Sequence, residues 1–257
     1  MTEGQTETMP ICRVLPYREA DGATNMAIDE AMLNQVAIDP SAALFRFYRW
    51  SEPTLSLGYF QSYSEALSDP RWHDVPIVRR PTGGGAIWHD CELTYAVVVP
   101  RNHPIAASSL TLYRAVHLHF AQILTRGGTK ATRRGENDLR PDLTRPFLCF
   151  SDRDPNDIVI DSHKVVGSAQ RRRKGAILQH GSILFHRAAK TPELLGAADL
   201  GYVLSATLGE FAENLPDGVL ADLGYSIEHT DWPASVLLVA QSLENEVYRN
   251  LDWTRRR

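Results

Sequence analysis

Cysteine is scarce in this chain, and basic residues are in deficit. The 257 residues hold three cysteines, Cys12, Cys91 and Cys149, with no Cys-x-x-Cys spacing. An odd number without paired spacing argues against a disulfide scaffold or a structural zinc site, so no metal and a reducing, cytoplasmic setting are expected. Lys and Arg total 27 against 31 Asp and Glu, a formal charge of −4. That balance argues against a dedicated nucleic-acid binder, whose affinity rests on neutralising phosphates with a basic surface. No apolar run approaches the ~20 residues that span a bilayer, so no membrane partner is expected. Residues 1–10 are polar, without the basic start and apolar stretch of a signal peptide, and read as a disordered tail. Walker-type Gly-x-x-x-x-Gly-Lys-Ser/Thr is missing, and the one glycine run has the wrong spacing for a dinucleotide-binding fingerprint.

What remains is an ordinary globular composition, 43% hydrophobic and 23% charged, which points to a single α/β domain over residues 1–257. Strands are predicted at 11–17, 44–48, 55–59, 77–80 and 93–99, the last rich in β-branched and aromatic residues and ended by Pro100. Helices are predicted at 24–37, with apolar residues only roughly spaced for one face, and at 109–126, which stops at Gly127-Gly128. The polar stretch 127–146 reads as a mobile loop. Strands at 158–160, 164–170 and 177–185 follow, and the rest is mostly helical, closing with 234–248. Residues 214–224 are the one candidate linker.

Two segments invite a chemical reading. The first is Arg79-Arg80-Pro81-Thr82-Gly83-Gly84-Gly85-Ala86-Ile87-Trp88-His89-Asp90. Three successive glycines are costly in backbone entropy and suit a sharp turn or the close approach of backbone to a ligand; a flexible hairpin turn is the plain alternative. The second is Lys164-Val165-Val166-Gly167-Ser168-Ala169-Gln170, followed by Gln179-His180-Gly181-Ser182-Ile183. Gly167 inside a strand pattern indicates that another backbone or a ligand lies close against it. Lys164 opens that strand, and a lysine at a strand end is by default simply solvated.

Together these segments resemble the signature motifs of the lipoate–protein ligase and octanoyltransferase family, whose catalytic domain is shared with biotin protein ligases. The resemblance extends from Asn25-Met26-Ala27-Ile28-Asp29-Glu30, through Phe45-Arg46-Phe47-Tyr48 and residues 55–61, to about Phe185, in the family's order and spacing. It implies an α/β (α+β) fold with mixed, largely antiparallel sheets flanked by helices. It also implies a fatty-acyl tunnel between the glycine loop and the lysine strand. Arg80, Gly83, Gly84, Gly85, Ala86, Ile87, Trp88, His89, Gly167, Ser168, Ala169, His180 and Gly181 are the implied substrate-binding residues.

The family has two branches, and this chain bears marks of both. Cys149, in Pro146-Phe147-Leu148-Cys149-Phe150 and fifteen positions before Lys164, is placed as in the cysteine-dependent octanoyltransferases. These take octanoate from acyl carrier protein through a cysteine thioester, without ATP or other cofactor. They pass it to a lysine of a lipoyl domain, such as the glycine cleavage H protein or 2-oxoacid dehydrogenase E2. An ordinary thiol is only about 3% thiolate at neutral pH, and a neighbouring ammonium favours the charged form. On this resemblance Cys149 is the nucleophile and Lys164 its partner, with an oxyanion hole of backbone N–H groups from both segments. Gly83–Gly85 and Gly167 are expected to make room for the acyl chain. Asn156-Asp157-Ile158, by contrast, is similar to an element of the ATP-dependent lipoate ligases, which would need ATP and Mg. The short stretch after Phe185 leaves little room for the accessory domain common in those ligases. A non-catalytic acyl-binding or lipoyl-binding protein is a further alternative.

Other residues invite simpler readings. Cys12 is expected in the core and Cys91 beneath the glycine loop. His117 and His119, two apart on a helix, face different ways and cannot chelate one metal. His89 and His180 are expected to flank the tunnel mouth. Arg171-Arg172-Arg173-Lys174 reads as a hairpin turn that could meet an acidic partner, and Arg255-Arg256-Arg257 as a frayed end.

Overall fold

A computed structural model describes residues 9–136, 145–173, 175–204 and 207–257. Strand β1 (Ile11–Val14) leads, and β2 (Arg18–Ala20) follows it. Helix α1 (Gly22–Ile38) starts on Asp21, whose carboxylate accepts the Thr24 amide at 2.9 Å. Two strands come next, β3 (Ala42–Trp50) and β4 (Thr54–Leu57). The short helix α2 (Tyr63–Leu67) then leads to β5 (Ile77–Arg79), β6 (Ile87–His89) and β7 (Glu92–Pro100). Helix α3 (Ser109–Arg126) precedes β8 (Thr132–Arg133), β9 (Ile158–Ile160) and the hairpin of β10 (His163–Arg173) with β11 (Ala176–Leu184). Helices α4 (Leu208–Asn214) and α5 (Pro216–Asp222), strand β12 (Ser226–His229), and helices α6 (Ala234–Leu243) and α7 (Leu251–Arg255) complete the order.

The large sheet has the order β12-β1-β3-β7-β11-β10-β9-β8, with β2 also on β3. From β3 to β8 every pairing is antiparallel, whereas β1 runs parallel to both β3 and β12. The sheets are therefore mixed and largely antiparallel, as expected. Strand β7 is buried at every position, and its Tyr95-Ala96-Val97-Val98-Val99 run reads as continuously apolar because helices cover both faces. One face packs on α3 and α5 through Phe45, Phe47, Tyr95 and Phe120. The other packs on α1 through Met26, Leu33, Tyr48 and Leu178. Helix α1 lies between the sheet and α6, so it is buried on more than one side, and this is why its apolar residues do not form one clean stripe.

A second, three-stranded sheet has β4 between β5 and β6. Its β5–β6 connection is the glycine loop. Between β9 and β10 the chain reverses through Asp161 and Ser162, at φ 47° and 69°, a two-residue turn of the mirror-image kind that suits the twist of a hairpin. That turn sets the register placing Lys164 opposite Val159.

Three sequence expectations need correction. Residues 214–224 are no linker, because α5 lies there and buries Val219 and Leu220 against α3. Arg255-Arg256-Arg257 is no frayed end: the Tyr63 amide donates to the Arg257 carbonyl at 2.7 Å. Arg171-Arg172-Arg173 is no turn, because these residues end β10 and pair with β11; Lys174 lies outside the described residues. The closing stretch is helical through Tyr248 as expected, α6 being followed by a π-helical turn over Glu244–Tyr248. In the expected loop 127–146, Thr132 and Arg133 pair with β9, while 137–144 lie outside the described residues, as do 1–8 of the expected tail.

Candidate active site

Between the glycine loop and β10 lies a narrow cavity of about 30 Å³ that opens to solvent. Its walls come from β3 (Tyr48, Trp50), the glycine loop and β6 (Gly84, Ile87, His89), β10 (Gly167 to Ala169) and β11 (His180 to Ser182), with Cys149 at its edge. Cys149 is half-buried in a 3-10 turn, Cys149–Ser151. Lys164 is buried behind it, its Nζ 3.7 Å from the Cys149 Sγ and donating to the Cys149 carbonyl at 3.0 Å. The Asp157 carboxylate, wholly buried, pairs with the same ammonium at 2.9 Å. Burial alone would lower the Lys164 pKa, but the sulfur of Cys149 and the carboxylate of Asp157 outweigh it and raise the value, so this amine is a cation at neutral pH.

Glycine decides how these parts meet. The Ala86 amide donates to the Phe147 carbonyl and the Cys149 amide to the Ala86 carbonyl, each at 2.8 Å, so the glycine loop and the cysteine segment pair like parallel strands. A Cβ on Gly85 would stand 2.8 Å from the Cys149 nitrogen. A Cβ on Gly167 would stand 2.5 Å from Lys164 Cε. These two glycines therefore make room for the catalytic candidates; Gly84, with φ +94°, and Gly167 also line the cavity.

Behind the walls run polar chains with definite direction. Arg80 donates to Ser56 Oγ at 2.7 Å, Ser56 meets His89 Nε2 at 2.7 Å, and His89 Nδ1 meets Glu92 at 2.6 Å. Burial lowers the pKa of His89 despite Glu92, and its neutral ring stacks on Trp50 at 3.7 Å. His180 bridges Thr82 at 2.6 Å and Asp29 at 2.7 Å. Burial works against the Asp29 carboxylate, yet Arg46 and His180 prevail and lower its pKa. Ser168 Oγ lies 2.6 Å from His117 Nε2 and 2.7 Å from the Tyr95 hydroxyl, and His117 Nδ1 donates to the Asn156 carbonyl at 2.7 Å. Burial pushes His117 down to about 3.

Most of the sequence-chosen residues meet here, and some do not. Cys149, Arg80, Gly84, Ile87, His89, Gly167, Ser168, Ala169, His180 and Gly181 all line the cavity. Arg80 does so as a clamp, because its guanidinium is taken up by the Ser56, Gly83 and Gly85 carbonyls. Trp88 faces away and packs on Trp72 at 5.5 Å, as strand alternation past Ile87 requires. Ala86 is occupied by the cysteine segment, and Gly83 lies against Phe60. Cys12 is fully buried in the core, and Cys91 sits in a separate pocket with Ala86 and Trp88. Asp157, Asp29, Thr94 and Trp50 were missed as members of the site. Of these, Asp157 left a trace in the sequence through the ligase-like Asn156-Asp157 element, and Asp29 through the segment Asn25–Glu30 that shares the family resemblance.

A family model described as the lipoyl protein ligase A/B catalytic domain matches residues 21–204. Octanoyltransferase LipM of Clostridioides difficile is 36% identical over 196 residues, covering 71% of this chain and 72% of that protein. The LipM of Halalkalibacterium halodurans is 38% identical over 185 residues, covering 68% of this chain and 66% of that protein. For the LipM of Bacillus subtilis the figures are 38% over 181 residues, 67% and 64%; the matched part thus spans just under two thirds of several relatives. Among solved structures, a bi-partite lipoate protein ligase of Thermoplasma acidophilum superposes with a TM-score of 0.71 at 23% identity, covering 96% of this chain and 97% of that one. A lipoate-protein ligase A bound with ATP gives 0.69 at 24%, covering 95% and 98%; both show the shared fold. With every cavity-lining strand inside the matched segment, the chain belongs to the lipoyl protein ligase A/B catalytic domain family.

Proposed function

We propose that this protein is a single-domain, cytoplasmic octanoyltransferase that moves an octanoyl group from acyl carrier protein to a lipoyl-domain lysine through a thioester on Cys149. The observation that supports it most is the half-buried sulfur at the cavity edge, 3.7 Å from a buried lysine ammonium. In the first step the Cys149 thiolate attacks the donor thioester carbonyl, the C–S bond to the donor breaks, and the donor sulfur leaves as a thiol, taking up from solvent the proton that Cys149 released on ionising. In the second, the neutral acceptor amine attacks the acyl-enzyme, the Cys149 C–S bond breaks to return the thiolate, and the amine proton passes to solvent. Neither step needs phosphate activation or a cofactor. The amides of Gly83, Gly84 and Gly85 make no hydrogen bond among the described residues, which leaves the Gly84 stretch of the cavity wall as the source of oxyanion donors. The amides of Ala86 and Cys149 are already paired with each other's segment and do not serve. Lipoyl domains such as the glycine cleavage H protein or 2-oxoacid dehydrogenase E2 are the acceptors. Each buried methylene adds ~0.8 kcal/mol, so an eight-carbon chain supplies ~5 kcal/mol of binding.

Mass spectrometry after exposure to octanoyl acyl carrier protein tests the reading. The wild type is expected to gain one hydroxylamine-sensitive octanoyl group and Cys149→Ser none; identical behaviour of the two overturns it. A second reading, ATP-dependent lipoate ligation, is favoured by Asn156-Asp157 ahead of Lys164. Its signature is lipoate-dependent pyrophosphate release that survives Cys149→Ser. A protein that binds acyl groups without turnover would show neither.

A further inference from the structure

Residues 58–63, which follow β4, pack on the glycine loop and on the segment that leads to Cys149. The Tyr59 amide donates to the Thr82 carbonyl at 2.7 Å, and Gln61 Nε2 donates to the Phe147 carbonyl at 3.0 Å, two residues before Cys149. On the outer side of this turn lie α7 and the two residues after it. The buried Arg79 joins the two segments, donating to the Gly58 and Gln61 carbonyls at 2.9 and 2.7 Å and to the Thr254 carbonyl at 2.7 Å. The result is an ordered row of cations on aromatic rings. The Arg256 guanidinium lies 4.0 Å from the Tyr59 ring centre and 4.4 Å from that of Trp253. Arg171, from β10, lies 4.9 Å from Tyr59, and Arg257 lies 5.3 Å from Phe60.

The chain carries a net charge of −4, and carboxylates hold some of its arginines, Arg173 by Glu30 and Arg249 by Asp21 and Glu244, but not this row. Arg171, Arg256 and Arg257 pair with no carboxylate among the described residues. Phe60 stands beside them 67% exposed. Rings hold the guanidinium planes in place but leave their charge uncompensated, and the planar fork matches phosphate and carboxylate oxygens.

We propose that this arginine–aromatic rim docks the acyl donor, an acidic carrier protein bearing its acyl group on a phosphopantetheine arm. The inference rests on the octanoyl-transfer reading above and names the surface that reading lacks. Donor and acceptor differ in the charge they bring to the rim. The arm carries a phosphodiester close to the carrier's acidic surface, whereas the acceptor presents a lysine ammonium that a row of unpaired guanidinia repels. Such a patch on an otherwise acidic molecule steers an anionic partner to one face, an effect that salt weakens.

The experiment compares octanoyl acyl carrier protein with octanoyl-pantetheine, a small donor without phosphate or protein, for the rate of Cys149 acylation. In Arg256→Glu/Arg257→Glu the carrier-to-small-donor ratio of kcat/KM is expected to fall by about tenfold or more. The loss of rate that the wild type shows between about 50 and 300 mM salt is expected to flatten. Arg256→Lys/Arg257→Lys, which keeps the charge but not the planar fork, is expected to give a ratio between the wild type and the Glu pair, and Arg171→Glu, on a different element, to lower it independently. Equal slowing with both donors assigns the arginines a structural role and overturns the proposal. So does a defect confined to transfer onto the lipoyl domain, which makes the rim an acceptor surface. Failure of the octanoyl-transfer reading looks different, since the wild-type protein would then acquire no octanoyl group from either donor.

Discussion

Lys164 has a sulfur, a carbonyl and a carboxylate around its ammonium, and the carboxylate is the partner that holds its charge in a buried setting. Asp157→Ala is expected to destabilise the fold by about 3 kcal/mol in denaturant titrations, because it leaves a buried cation short of its counter-ion. The folded-state pKa of Lys164 is raised, so its contribution to stability is present below the unfolded value and lost as pH rises through the folded one. In Asp157→Ala that alkaline loss is expected to begin at lower pH. His117 behaves oppositely. Held near 3 by burial against about 6.5 when unfolded, it binds fewer protons folded than unfolded between those values. Stability therefore falls on acidification through that window, by up to about 1.4 kcal/mol per pH unit. In His117→Gln, unfolding free energies measured from pH 6.5 down to 4 are expected to show a shallower slope. Cys149 and Lys164 were legible as a pair through family resemblance, whereas the Asp157 contact depends on a turn that only the folded chain displays.

At the scale of elements, the glycine loop is the informative case. Three glycines in a row signal close approach, and close approach is what the structure shows, but the approaching backbone is the protein's own cysteine segment. Gly85→Ala places a methyl group 2.8 Å from the Cys149 nitrogen, so the paired cysteine backbone must shift. It is expected to cut acyl-enzyme formation at least about tenfold by moving the nucleophile, and to lower the melting temperature as well. Gly83→Ala, whose Cβ would meet only the Phe60 ring at 3.8 Å, is expected to stay near wild type, which separates position from composition. Helix α1 teaches a related point. Its weak apolar periodicity reflects contacts on more than one side, and its buried Asp29 reaches Arg46, Tyr48 and His180 across the sheet.

At the scale of the whole molecule, the 251–257 segment and the 58–63 turn depend on one buried arginine. Arg79 has most of its guanidinium bonds in these two segments, and Trp253 returns a bond to the Arg79 carbonyl at 3.0 Å. Removing residues 251–257 leaves several of those donors without acceptors. It is expected to lower the melting temperature by about 5 °C or more, read by calorimetry. The run of arginines reads as a solvated end because nothing in its composition announces that the Arg257 carbonyl accepts the Tyr63 amide, or that Thr254, just before the run, accepts from Arg79, 175 positions away.

Most of the sheet strands, helices α1 and α3, the glycine and lysine motifs and the family were legible in the sequence alone, whereas β2, β8, β12 and the helix at 216–222 were not. Alternation, caps and punctuating glycines are local properties, and motif order survives without coordinates. Tertiary structure alone decided that Asp157 lies on Lys164, that Gly85 and Gly167 yield space to Cys149 and Lys164, and that Trp88 turns away from the cavity. The same holds for the arginine rim, where the aromatic rings come from β4's following turn and the cations from β10 and α7's far end. These are relations between segments far apart in the chain. They are set by sheet register and by the packing of one loop on another, and a linear pattern encodes neither.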